Sequence, residues 1–330
     1  MDILGANPEP RVVPLNPAEP GHIAAVAAIW NAACGPELAI TERVVRYNLQ
    51  PSTGGVQAGR LALIADRPAG FVLASALPAP GDPSVSPPNL GWVDAIAVLP
   101  EHQRQGLGTA LLAWAEKWLA GQGCDIFLLG GSLRHFAPGL PAELGTEPFF
   151  RGRGYRPHPG HEYTWDVARS LRDYVSPPSA ARAAGADIRP ASPGDETALL
   201  AFLRRAFPGR WRYEFEEFLR EGGRISDYML LWTGQGVDGF CQLTFEDSLR
   251  PLHRYFMHRL PRPWGQLGPI GVSQEWRGQG YGAALLDAGL RRLQAQGVNG
   301  CVIDWTDLLE FYGKFGFRPY RQYVMLGKAR

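Results

Sequence analysis

The chain of 330 residues is 45% apolar and sets 33 basic against 32 acidic side chains. That is enough apolar material for two ordinary domains, and a net charge of +1 offers no bulk attraction to phosphate backbones or anionic lipid, so nucleic-acid and membrane partners are disfavoured. The four cysteines, Cys34, Cys124, Cys241 and Cys301, form no C-x-x-C pair, which argues against a disulfide framework or a metal site and for a reducing, cytoplasmic setting.

The N-terminal MDILGANPEPR lacks the basic start and apolar core of a signal peptide, and the apolar stretch IAAVAAIWNAAC is too short to span a bilayer. RVVPLNPAE, Arg11 to Glu19, reads as a short strand leading into a proline-marked helix start. WVDAIAV reads as a strand, QRQGLG (Gln103 to Gly108) as a glycine turn, and the helix after it places Leu107, Leu111, Trp114 and Trp118 on one buried stripe. The Pro and Gly of RHFAPGLPAELG mark a loop, with His135 as a solvated residue. SPPSAARAAGAD (Ser176 to Asp187) has a linker's composition.

Beyond that linker DIRPASPGD repeats the opening strand and turn, and ETALLAFLRRAF reads as a helix. YMLLWTG, VDGFCQLTFE and LGPIGV read as strands. The turn RGQGYG, Arg277 to Gly282, leads into the helix AALLDAGLRRLQAQG. CVIDWT is then a buried strand, LLEFYGKFGF a short helix ending at Gly316, and RQYVMLG one last strand. Three landmarks thus recur in order. The glycine turns lie 174 residues apart (280 minus 106), and FFRGRGYRP precedes FYGKFGFRP by 162 (312 minus 150), the surplus of the first copy falling in RHFAPGLPAELG. The duplication predicts domains at residues 1–176 and 187–330 with a linker at 177–186, each domain mixed α/β.

A turn between strand and helix suits an anion. The first helical N–H groups lack partners, the macrodipole adds positive potential, and glycines at Gly106 and Gly108, or Gly280 and Gly282, let the backbone come close. Neither turn continues into Lys-Ser/Thr, and Leu111 and Leu285 stand where a dinucleotide-binding turn has its third glycine.

Arg277-x-x-Gly280-x-Gly282 and Gln103-x-x-Gly106-x-Gly108 both resemble the Q/R-x-x-G-x-G/A signature of the GNAT superfamily of acyl-CoA-dependent N-acetyltransferases. The resemblance extends to the preceding strands and to the downstream F-[YF]-x-x-x-G-[FY]. It implies two tandem GNAT folds, each a mixed, mostly antiparallel sheet flanked by helices. It also implies acetyl-CoA as co-substrate, its pyrophosphate held by backbone N–H groups of Arg277, Gly278, Gln279, Gly280, Tyr281, Gly282 and Ala283 and its pantetheine lying along Ile270, Gly271 and Val272. The first-half equivalents are Arg104, Gln105, Gly106, Leu107, Gly108 and Thr109, with Ile96, Ala97 and Val98.

Acetyl transfer to an amine needs a proton acceptor, an oxyanion donor and an acid for the departing thiolate. Tyr312 matches the family's thiolate-protonating tyrosine, and a strand N–H near Val272 is the expected oxyanion donor. Asp304 interrupts the apolar run CVIDWT, where a charge is costly unless paired or facing a wet cleft, and is the leading base; Glu246 and Asp247 are weaker alternatives. In the first half Gly130 and Phe150 align with Asp304 and Tyr312, so that half reads as degenerate, although Asp94, Ser132 and His135 leave a different chemistry open there.

The acceptor wall is sought in FPGRWRYEFEEFLREGG, where Trp211, Tyr213, Glu214, Glu216 and Glu217 suit a small primary amine such as an amino sugar, while Phe215 and Phe218 face inward. HRYFMHRLPRPWGQ, His253 to Gln266, is a second wall. Three readings stay open: direct acetyl transfer to a small amine by the second half, a CoA-binding sensor or scaffold with little turnover, and an acyltransferase using another donor or a protein amine.

Overall fold

The computed structural model describes residues 10–183 and 185–330, so the reading of the N-terminal MDILGANPE lies outside the described residues. In chain order the first half runs β1 (Arg11–Pro14), α1 (Pro20–Cys34), α2 (Glu42–Asn48), β2 (Val56–Ile64), β3 (Arg67–Ala76), β4 (Leu90–Val98), α3 (Leu107–Gly121), β5 (Ile126–Leu129), β6 (Leu140–Pro141), α4 (Glu147–Arg151), β7 (Arg156–Pro157) and β8 (Tyr163–Ser170). The second runs β9 (Asp187–Pro190), α5 (Glu196–Ala206), α6 (Arg210–Arg220), β10 (Tyr228–Thr233), β11 (Gly236–Phe245), β12 (Trp264–Val272), α7 (Tyr281–Ala295), β13 (Gly300–Thr306), α8 (Leu309–Gly313), β14 (Arg318–Val324) and β15 (Leu326–Ala329). Pro14 and Pro190, which cannot donate to a ladder, close β1 and β9, and both strands lie at sheet edges.

Two sheets result, ordered β1-β2-β3-β4-β5-β15-β7 and β6-β14-β8-β13-β12-β11-β10-β9. Their pairing is antiparallel except at β4–β5 and β12–β13. Each sheet is completed by a strand from the opposite half. β8, the last strand of the first copy, lies between β13 and β14. β15, the last strand of the second, lies between β5 and β7. RQYVMLG is therefore two strands rather than one, broken at Met325, because its ends pair with different sheets.

The exchange knits the cores together. Phe256 and Tyr323 of the second half are buried among Trp30, Val44 and Phe136 of the first, while Val167, Leu171 and Tyr174 sit in the core beneath α7. Burying a Phe-sized side chain contributes about 1.5–3 kcal/mol, so each such guest stabilises the junction appreciably. The linker-like segment is also ordered against this core: Pro178–Ala183 form a short 3-10 helix, Ala180 is buried, and Tyr174 donates its hydroxyl to Asp287 at 2.5 Å.

Two sequence expectations need correction. In α3 the buried face is Leu107, Leu111, Leu112, Ala115 and Leu119; Trp114 and Trp118 lie half-buried beside it, stacked on each other at 6.3 Å, with Arg60 over Trp114. RHFAPGLPAELG is not a solvated loop. Arg134, His135, Phe136 and Ala137 are buried between the halves, and Leu140–Pro141 pair with Tyr323 and Val324 of β14. Proline and glycine reported the irregular backbone correctly, but burial depended on the other half.

Candidate active site

Both glycine turns have the same construction. Arg104 and Gly106 in the first, and Gly278 and Gly280 in the second, take left-handed conformations at φ 62°, 87°, 77° and 93°. An added Cβ at Gly278, Gly280 or Gly282 meets nothing within 4 Å, so the space over the turn is open to a ligand. Intrahelical bonding starts where Ala110 and Ala284 donate to Gly106 and Gly280, both at 3.0 Å, leaving the N–H groups of Arg104 to Thr109 and of Gly278 to Ala283 as an anion cradle; the Arg277 N–H, expected to join it, is instead taken by the Gln274 carbonyl at 3.2 Å because a 3-10 turn ends there. The signature's long side chains fix the turn to the strand before it: Gln103 Nε2 donates to the Val98 carbonyl at 3.0 Å and Arg277 Nε to Val272 at 3.3 Å. Gln105 and Gln279 donate in the same way to Glu101 and Glu275. These side chains shape the cradle without occupying it.

Next to each cradle the sheet splits. β4 pairs with β5 only as far as Val93, and β12 with β13 only as far as Gln266, after which the partners diverge. The Ser273 N–H is taken by Asp238 at 2.9 Å and the Leu99 N–H by Ala69 at 2.8 Å. By strand alternation the N–H groups of Val272 and Ile270, and of Val98 and Ile96, therefore face the open edge. Ile96, Ala97 and Val98 and Ile270, Gly271 and Val272 thus border the two splits, free to pair with an extended ligand. Gly271 is required there, since a Cβ would stand 2.7 Å from Phe207 and 2.9 Å from Trp211.

The carboxylates at the two splits come from different strands. In the second half Asp304, half-buried at the end of β13, accepts from Gln266 Nε2 at 2.8 Å, and Thr244 donates to Gln266 Oε1 at 2.8 Å. Burial raises the Asp304 pKa, partly opposed by the Arg254 charge and the Gln266 bond. In the first half Ser75, paired across strands as Thr244 is, donates to Asp94 at 2.8 Å. Asp94 is buried in the β4 bulge, and burial pushes it up to about 7, opposed by the neighbouring polar side chains of Ser132, Ser75 and Gln57. The position corresponding to Asp94 in the second half is Gly268, also at a bulge, where an added Cβ would lie 3.6 Å from Asp304 Oδ1. The two carboxylates reach matching places by different routes.

Tyr312 is buried on α8, its ring against Phe311 and Phe317. Burial and then the nearby Asp304 charge raise its hydroxyl pKa, so it stays protonated at neutral pH. Phe150, its counterpart, is buried without a hydroxyl. Glu246 and Asp247 are not brought to the split: they follow the other end of β11, where Glu246 accepts the Trp264 N–H and Asp247 pairs with Arg224.

The walls are built where the halves meet. On α6 Phe215 and Phe218 are buried. Tyr213 donates to the Thr53 carbonyl at 2.7 Å, Glu217 accepts from the Thr53 N–H at 3.1 Å, and Glu216 pairs with Arg212, so these three serve structure. Glu214 pairs with Arg210 at 2.6 Å; burial pushes its pKa up, but Arg210 and Arg250 outweigh that and hold it low. The segment from His253 brings Arg254 to the junction, where Nη2 donates to His135 Nε2 at 2.9 Å. His135, expected in solvent, is buried, and burial together with Arg254 and Arg210 holds its pKa well below the ordinary value. It is thus neutral, with Nδ1 toward the Ser132 carbonyl at 3.0 Å. Sequence reasoning included Arg254 and Gln266 only as part of the wall segment His253 to Gln266, without singling them out, and missed Asp166. Gln266 alternates with Trp264 and Gly268 in an apolar strand, a detectable irregularity; Asp166 comes from the other half, which no local pattern reports.

Among the described residues no cluster of three or more His, Cys, Asp or Glu side chains is arranged to hold a metal, and no helix is long and apolar enough to cross a membrane.

The chain matches the acetyltransferase (GNAT) family over residues 25–136 and again over 197–317. It is 28% identical over 249 residues to the mycothiol acetyltransferase of Kineococcus radiotolerans, covering 73% of this chain and 70% of that protein. It is 34% identical over 113 residues to the acetyl transferase GW6a of Oryza sativa subsp. japonica, covering 32% of this chain and 27% of the rice protein. In fold it resembles the glucosamine N-acetyltransferase region of a fungal multi-domain β-N-acetylglucosaminidase, with a TM-score of 0.84 and 24% identity, covering 98% of this chain and 38% of the fungal one. A tandem GNAT protein from the clavulanic acid biosynthesis pathway gives a TM-score of 0.69 at 16% identity, covering 97% and 98% of the two chains.

Proposed function

Because the chain belongs to the GNAT family of acetyltransferases, enzymes of acyl transfer, we propose that it moves acetyl from acetyl-CoA directly to the primary amine of a small molecule, an amino sugar or similar amine, at the second-half split. The observation that carries this reading is the convergence there of an open anion cradle, free strand N–H groups and a half-buried carboxylate, with a protonated phenol in the same core. The likeness to a glucosamine N-acetyltransferase region makes an amino sugar the first acceptor to test, and the mycothiol acetyltransferase likeness supports acetyl transfer to a small molecule.

Bound acetyl-CoA supplies a thioester carbonyl. The N–H groups of Gly278 to Ala283 hold its pyrophosphate, and the edge of Ile270 to Val272 aligns its pantetheine. The first-half cradle, Arg104 to Thr109 beside Ile96 to Val98, is suited to the same ligand. The Val272 N–H donates to the carbonyl oxygen as charge grows on it. Asp304 takes the amine proton, with Gln266 holding its Oδ1 in place. Tyr312 gives its proton to the departing sulfur. Arg254 keeps enough positive potential near Asp304 to oppose the cost of its burial.

The test is release of free thiol from acetyl-CoA against a panel of amines that includes glucosamine. Turnover on an amino sugar that collapses in Asp304→Asn and Tyr312→Phe is expected. CoA binding with no turnover on any amine would instead mark a sensor or scaffold.

A further inference from the structure

Trp305 has a backbone φ of 50°, a left-handed conformation that costs a bulky residue on the order of 1–2 kcal/mol. It lies where the ladder between β13 and β8 slips: Ile303 faces Val167 and Thr306 faces Trp165, so Asp304 and Trp305 together oppose the single residue Asp166. Such a bulge re-aims the side chains it carries, and here one of them is the carboxylate at the split.

Asp166 holds this bulge. It is 1% exposed; Oδ1 accepts the Trp305 N–H at 3.0 Å and Oδ2 accepts the Tyr323 hydroxyl at 2.8 Å. The Trp305 ring is held as well. The Arg210 guanidinium lies 4.8 Å from its centre, the His135 ring stands edge-on with centroids 5.3 Å apart, and a Cβ on Gly131 would come within 3.1 Å. Arg210 is in turn tied to the carbonyls of Gly131 and Ser132, both at 2.7 Å. The first half therefore reaches Trp305 through its backbone and its ring.

We propose that Asp166, carried on the strand the first half lends, is the positioning residue of the second-half site: by capturing the Trp305 N–H it sets the bulge that aims Asp304 at the acceptor. The inference rests on the reading of Asp304 as the base. No proton passes through Asp166 in this role, and it touches no substrate.

The full chain with Asp166→Asn keeps an acceptor for Trp305 and a polar partner for Tyr323, so its kcat should stay within about threefold of the parent. Asp166→Leu loses both bonds, and its kcat should fall about 10- to 100-fold, the scale of a small misplacement, with KM for acetyl-CoA unchanged because the cradle lies on other elements. In an Asp304→Asn background Asp166→Leu should cost nothing further. If Asp166→Leu does not fold, Asp166→Ser, which fits the space but cannot span both bonds, is read by the same criteria. A folded Leu or Ser variant with parental kcat, while Asp304→Asn is inactive, overturns this inference alone. Equal losses in both backgrounds overturn it too, by showing a general structural effect. An active Asp304→Asn removes the base assignment and this inference with it.

Discussion

The two halves carry the same cradle and the same split sheet, yet they place their carboxylates differently. Asp94 projects from the bulge of the central strand and is sealed in by Ser75, with Ser132 beside it; Asp304 reaches the corresponding place from the neighbouring strand, half-open and facing the junction. Gly268 is the complement of that change, because a side chain there would crowd the amide of Gln266, 3.0 Å from an added Cβ. What distinguishes the sealed carboxylate of the first half from the half-open one of the second is thus not the presence of an acid but its direction of approach. The phenol follows the same division, with Tyr312 set against Phe150.

The strongest way to break this comparison is to separate its terms. Fragments 1–176 and 187–330 each lose an interior strand, β15 from one sheet and β8 from the other. Neither should fold alone by circular dichroism or proton spectra, and mixing them during refolding should recover the fold. A cooperatively unfolding single fragment would show that the exchange is dispensable.

Next in size is the contrast between carboxylates. Asp304→Asn should lower kcat by about 100- to 10,000-fold, the worth of one positioned base, while Asp94→Asn should change amine turnover by less than about twofold. The opposite ranking, measured by thiol release, would move the reaction to the first half.

The cradles are compared by Gly280→Ala and Gly106→Ala. A non-glycine residue in the left-handed region costs on the order of 1–2 kcal/mol, so Gly280→Ala should raise KM for acetyl-CoA about tenfold. Gly106→Ala should leave that KM unaltered and show, by calorimetry, whether the first cradle is also filled.

The smallest effect is on stability against pH. Burial holds Asp94 at about 7, and burial with the Asp304 charge holds Asp166 at about 8, both above the unfolded carboxyl value. The folded state then binds more protons than the unfolded one between about pH 4 and these values, so stability declines as pH rises through that window. Asp94→Asn should flatten the decline up to about pH 7 and Asp166→Asn up to about pH 8, each by a few degrees of Tm in a thermal series. An unchanged slope in both variants would show that these groups titrate normally.

Much was legible along the chain because it depends on neighbours in sequence. RGQGYG and QRQGLG mark strand-to-helix turns since their glycines supply left-handed backbone and the following N–H groups have no partner. CVIDWT betrayed Asp304 because a carboxylate in a buried strand demands a reason. The GNAT resemblance likewise follows from local spacing repeated in order. Other features depend on residues far away. Nothing in RQYVMLG signals that its two ends join different sheets, since either end would read as strand in any partner's company. His135 looked solvated because its segment is rich in proline and glycine, and only the arrival of Arg210 and Arg254 buries it. Asp166 carries no local mark of a role within YTWDVARS, and the strand exchange alone sets it beside Trp305. Local pattern encodes backbone conformation and one-sided burial; direction of approach, and thus which carboxylate is left half-open, is set by contacts between segments more than a hundred residues apart.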